Sequence, residues 1–84
     1  MPTWYFYIAR CADHSIYIGC TNNTVERIAR HNRGEGARWF KHHGQGEIIY
    51  TEAYPDYLTA HRRELQIKKW SRKKKENLIR GLKP

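Results

Sequence analysis

The sequence is poor in cysteine, in acidic residues and in uninterrupted apolar stretches, and each shortage excludes something. Cys11 and Cys20 are its two cysteines, too few for a disulfide framework or for a zinc site of the usual four ligands. They could face each other across a hairpin, but in a reducing cytosol, where disulfides are rare, both read as core-filling thiols. No stretch approaches the roughly 20 apolar residues of a membrane span, and the N-terminus lacks the basic segment and apolar run of a signal peptide. A soluble, cytoplasmic protein without a membrane partner is expected. Acid is scarce: eight Asp and Glu stand against sixteen Lys and Arg, a formal charge of +8. An excess of that size favours polyanions, nucleic acid first and an acidic membrane surface second.

What is present suffices for one modest core. The chain has 84 residues, 39% of them hydrophobic, including three Trp, six Tyr and two Phe. A single domain over residues 1–84 is expected, with its chemistry on an open face, because short chains bury a smaller share of their surface.

Residues 4–11 are rich in aromatic and branched side chains and predict a strand. After the turn-forming Ala12-Asp13-His14-Ser15, residues 16–20 alternate, with Ile16, Ile18 and Cys20 on one face and Tyr17 and Gly19 on the other. An antiparallel hairpin follows. Asn23 and Glu26 have capping-box spacing. The helix they open carries Val25, Ile28, Ala29 and Asn32 on one side and Arg27, Arg30 and His31 on the other. Glu47 to Tyr54 predicts a third strand, and Asp56 caps a second helix with an apolar arc of Tyr57, Leu58, Ala60, Leu65 and Ile67. Ser71 caps a last helix bearing Leu78 and Ile79. The order β-β-α-β-α-α indicates an α+β fold.

Three features depart from a plain scaffold. Glu64 falls near the middle of the apolar arc. A carboxylate there is either rescued by Arg62, Arg63 or Lys68, or exposed at the edge of the arc, or faces an open site and binds a hard cation. Tyr7 and Tyr17 lie on adjacent strands, as aromatic packing across a hairpin or as part of a site. Gly19 shares a face with Tyr17, and a strand glycine often marks close approach of another group. Arg27 and His31 are four apart, either a solvated cationic face or a phosphate clamp. The basic residues expected to meet a polyanion are Arg30, Arg38, Lys41, Lys68, Lys69, Arg72, Lys73 and Lys74, with Trp70 among them for base stacking.

In their order these parts resemble the GIY-YIG nuclease family. Tyr5-Phe6-Tyr7 stands where Gly-Ile-Tyr is usual, and Tyr17-Ile18-Gly19 reproduces the second motif in full. A helix with Arg27 and His31 follows, then a helix with Glu64. The resemblance covers about residues 4–80. It is greatest to small, stand-alone bacterial members related to the repair nuclease UvrC and to homing endonucleases, to which residues 59–69 and the following Trp70-Ser71 are similar.

The resemblance implies a three-stranded antiparallel sheet flanked by helices, with Tyr7, Tyr17, Arg27, His31 and Glu64 gathered on one shallow face. It implies metal-dependent DNA endonuclease activity, in DNA repair or processing, with DNA favoured over RNA as the partner. By the same resemblance Tyr7 deprotonates the attacking water, Glu64 holds one Mg²⁺ or Mn²⁺, and Arg27, with Tyr17, stabilises charge on the phosphate. Asn77 is the candidate for an asparagine that family members often carry after the glutamate. A nucleic-acid-binding module with little activity and a domain docking on an acidic protein are the competing readings.

Overall fold

The computed structural model describes residues 3–35 and 42–84. Arg38 and Lys41, expected at the nucleic-acid surface, lie outside them. The elements are β1 (Trp4–Cys11), β2 (Ile16–Thr21), α1 (Thr24–Asn32), β3 (Gly46–Tyr54), α2 (Tyr57–Lys68) and α3 (Arg72–Ile79). The strands form one antiparallel sheet in the order β2-β1-β3, so the most hydrophobic strand, β1, is central. The expected α+β order and three-stranded antiparallel sheet are thus observed.

Alternation along β1 builds two layers of core. Phe6 and Ile8 face one way and join Ile18 and Ile67, with Trp70, Leu78 and Ile79 packed around them, so α2 and α3 cover this face. Tyr7, Ala9 and Cys11 face the other way, with Ile28 of α1 packed against them. A bulge between Ile8 and Ala9 shifts the register with β3. It lets the consecutive Ile49 and Tyr50 both pack on the Phe6 side while Ile48 packs on the Tyr7 side.

Side-chain bonds fix the helices at their ends. Asn23 caps α1 by accepting from the Glu26 N–H at 3.1 Å. The Asn23 N–H itself donates to Thr21 Oγ1 at 3.1 Å. Asn32 grips the start of β3, accepting from the Gly46 N–H at 2.7 Å and donating to its carbonyl at 3.0 Å. Glu52 of β3 receives Arg63 of α2 at 2.8 and 3.1 Å. Arg10 of β1 forks onto Glu76 of α3 at 2.6 and 3.2 Å.

Two helix faces differ from expectation. On α1, Val25 is 77% exposed and His31 only 3% exposed. The inward face runs between the two expected sides, with Ile28 packed on the Tyr7 layer and His31 bonded to the Tyr7 hydroxyl. On α2, Ala60, Glu64 and Ile67 are buried, whereas Tyr57, Leu58 and Leu65 are about half exposed. The buried stripe follows i, i+4, i+7 spacing, and Leu58 and Leu65 lie roughly 100° or more away around the helix. The two cysteines do not face each other: Cys20 opposes Phe6, at the far end of the hairpin from Cys11. Among the described residues no helix is long and apolar enough to cross a membrane.

Gly19 is the tightest point of the sheet. It is the register partner of Tyr7, and a β-carbon at Gly19 would lie 2.7 Å from Tyr7 Oη and 2.8 Å from Cζ. Tyr7 has no exposed surface, so its ring has little room to yield. Gly19→Ala is expected to cost about 1–3 kcal/mol by overpacking. At roughly 4–8 °C per kcal/mol in a domain of this size, that is a clear fall in Tm. A thermal midpoint unchanged within error would show that the ring moves aside freely.

Candidate active site at the sheet edge

The site forms where Tyr7 reaches across β2. Tyr7 belongs to the central strand, and its ring passes over Gly19, where no side chain blocks it. It thereby reaches the floor of a cleft of about 300 Å³ lined by Trp4, Tyr7, Tyr17, Gly19, Cys20, Arg27, Tyr57, His61 and Glu64. Tyr7, Tyr17, Arg27 and Glu64 line it directly, and His31 sits behind the floor, 3.2 Å from the Tyr7 hydroxyl through Nε2. The Tyr17 ring meets Tyr7 at 6.3 Å and the His31 imidazole edge-on at 5.5 Å. Four elements therefore converge on the five expected residues.

The charges in the cleft are unequal. Glu64 is 8% exposed. Burial raises its pKa, but Lys68 at 2.7 Å, the Cys20 thiol and His61 more than offset this, so Glu64 is a carboxylate at neutral pH. The rescue by Lys68 that the sequence left open is thus real, and Glu64 still faces the cleft. Tyr7 moves the other way. Burial and then Tyr17 raise its pKa far above the ordinary tyrosine value, and Arg27 only partly opposes them. The guanidinium beside it is therefore not enough to give a standing phenolate. Burial, then Arg27 and Arg30, lower the pKa of His31. A neutral His31 can accept the Tyr7 proton at Nε2.

Cys20 and His61 were not singled out from the sequence, yet both sit beside Glu64. Burial and the Glu64 carboxylate push the Cys20 thiol up to about 12. His61 precedes Glu64 by three residues on α2 and stacks on Tyr57 at 5.2 Å. Its Nδ1 is buried, 3.5 Å from Glu64 Oε1, and has no hydrogen-bond partner among the described residues. An unsatisfied buried nitrogen costs about 1–3 kcal/mol, which a bound cation would relieve. The His-x-x-Glu spacing was readable as one face of a helix, whereas the approach of Cys20 was not. An oxygen ligand beside an orphaned nitrogen fits a divalent cation.

The basic residues divide. Arg30, Lys69 and Lys73 are exposed. Lys68 is paired with Glu64. Arg72 is committed to Glu76 at 3.0 Å and to the His14 carbonyl at 2.7 Å, tying α3 to the hairpin turn. Lys74 lies over the Trp70 ring at 4.8 Å. Asn77 is half-buried on α3 and does not line the cleft. Arg27 has no salt-bridge partner among the described residues.

Comparison with known proteins agrees with this geometry. Residues 3–77 match the GIY-YIG catalytic domain. A UPF0213 protein of Natronomonas pharaonis is 40% identical over 75 residues, covering 89% of this chain and 88% of that one. One of Staphylococcus haemolyticus is 40% identical over 79 residues, 94% of this chain and 96% of its own. The solution NMR structure of a UPF0213 protein from Bacillus halodurans superposes with a TM-score of 0.59 at 38% identity, covering 92% of this chain and 82% of that one. With Tyr17 and Gly19 of the second motif at the cleft and the domain match covering residues 3–77, the chain belongs to the GIY-YIG family of nuclease domains.

Proposed function

We propose that this protein is a metal-dependent DNA endonuclease that hydrolyses phosphodiester bonds in DNA repair or processing. The observation that carries the reading is the meeting, in one cleft, of a carboxylate, a guanidinium with no salt bridge among the described residues, and a tyrosine bonded to a neutral histidine. Family membership supplies the coarser part, nucleic-acid binding and nuclease chemistry.

Arg27 binds the non-bridging oxygens of the scissile phosphate through its planar fork. The attacking water gives its proton to Tyr7 Oη as Tyr7 passes its own to His31 Nε2. Tyr7 thus acts as base without a standing phenolate, and the proton ends on the imidazole. One O–P bond forms, one P–O bond breaks, and the leaving oxygen takes a proton from solvent. Tyr17 holds the imidazole edge-on so that Nε2 keeps its aim. Because Tyr7 is covered in the resting protein, a neighbouring side chain must shift for water to reach it. Glu64 would hold the Mg²⁺ or Mn²⁺, which would supply positive charge to offset that on the phosphate and the leaving oxygen. The exposed Arg30, Lys69 and Lys73 extend the cationic surface along the substrate.

A second reading is a nucleic-acid-binding module with little activity. The covered Tyr7 and the Lys68 ammonium held on Glu64 favour it. Labelled single-stranded, duplex and branched DNA, and RNA, incubated with Mg²⁺, Mn²⁺ or EDTA, separate the two. Metal-dependent cutting is expected, with Tyr7→Phe slower by about 10²–10⁴-fold, the usual worth of a positioned base. Glu64→Gln should stop cutting yet retain binding that weakens steeply with salt. Clean binding without cutting, on every substrate and in both metals, would leave the binding module as the function.

The lowered pKa of His31 also sets the sign of a pH effect. An imidazole is protonated below its pKa, and protonated His31 cannot accept from Tyr7. Cleavage should therefore hold down to histidine's ordinary value of 6.5 and fall only below it. His31→Gln should be slower and lack that acid limb. An unchanged limb in this variant would assign the titration to another group.

A further inference from the structure

We propose that Cys20, His61 and Glu64 form a mixed sulfur–nitrogen–oxygen site for a zinc-class divalent ion, distinct in ligand chemistry from a hard ion held by Glu64 alone. Their ligand atoms, the Cys20 Sγ, a His61 ring nitrogen and a Glu64 carboxylate oxygen, all lie within 4.8 Å of one another. Zinc bonds of about 2.0–2.3 Å at tetrahedral angles place ligand atoms roughly 3.4–3.6 Å apart. The His61 Nδ1 to Glu64 Oε1 edge is already 3.5 Å, so small side-chain rotations bring in the sulfur.

The orphaned Nδ1 is the second, independent sign. It is buried, lacks a hydrogen bond among the described residues, and sits 3.5 Å from the Glu64 carboxylate. Stacking on Tyr57 at 5.2 Å and 12° restrains the plane of its ring. Helix geometry keeps His61 and Glu64 on one face, and β2, as an edge strand, brings Cys20 to that face. All three residues line the same cleft.

The donor set selects the ion. Thiolate and imidazole suit zinc or cobalt, while Mg²⁺ prefers oxygen alone. Binding releases the Cys20 thiol proton to buffer and displaces the Lys68 ammonium from Glu64 Oε2, where it rests at 2.7 Å. Because Glu64 is common to both sites, a bound zinc-class ion excludes Mg²⁺ from it. The inference shares that residue with the proposed nuclease reading but does not depend on cleavage.

The test is direct binding to tag-free, reduced protein. Co²⁺, the spectroscopic stand-in for Zn²⁺, should give a thiolate-to-metal charge-transfer band at one ion per chain. Zn²⁺ should abolish the band, and excess Mg²⁺ should not. Competition with a chromogenic chelator should show Zn²⁺ affinity at least about tenfold weaker in Cys20→Ser and in His61→Gln, about 1.4 kcal/mol or more. The band should vanish in Cys20→Ser and persist in Cys11→Ser. If a variant fails to fold, alkylation of the parent decides instead, with Zn²⁺ expected to protect Cys20. Absence of the band and of protection in the parent, or equal zinc affinity in well-folded variants, would overturn the site. Loss of cleavage with the band intact would count against the nuclease alone.

Discussion

The site depends on one close approach, the Tyr7 ring crossing the backbone at Gly19. Tyr7 belongs to the central strand and would otherwise spend its hydroxyl inside the core. With no β-carbon at Gly19, the phenol extends to the edge of the sheet and meets both the cleft and His31. The same contact helps orient α1, because the buried His31 ring faces the Tyr7 hydroxyl at 3.2 Å. Burying a polar ring without a partner is unfavourable by several kcal/mol, so this bond helps set which side of α1 turns inward.

Electrostatics in the cleft follow from burial more than from the chain's net charge. Arg27 stands near Tyr7, and its positive charge favours the phenolate. Inside the sheet, desolvation outweighs that field and holds Tyr7 protonated. Glu64 resolves the same conflict the other way, since Lys68, Cys20 and His61 together outweigh its burial. A protonated phenol bonded to a neutral imidazole and an ionised carboxylate nearby are therefore the resting groups around which substrate and metal would assemble.

Outside the cleft, ion pairs serve architecture. Glu76 collects Arg10 and Arg72, and Glu52 collects Arg63 with the Tyr50 and Tyr54 hydroxyls. These carboxylates hold α3 and α2 against the sheet. They draw three arginines out of the cationic surface, so the residues left to meet a polyanion are fewer than the composition suggests. Arg30, Lys69 and Lys73 remain exposed.

The strands and the helix caps at Asn23, Asp56 and Ser71 were legible in the sequence, and motif order named Tyr7, Tyr17, Arg27, His31 and Glu64 as residues to look for together. Alternation, capping chemistry and motif order are local properties of the chain. Gly19 was legible as a point of close approach, though not what approached it. The tertiary structure alone decided which face of α1 points inward, that Leu58 and Leu65 stay exposed, and that Cys20 is a wall of the cleft. Each of these turns on contacts between residues far apart in the chain. Helical periodicity names a stripe but not the partner that buries it, and strand alternation assigns Cys20 a face but not the neighbour waiting beside an edge strand.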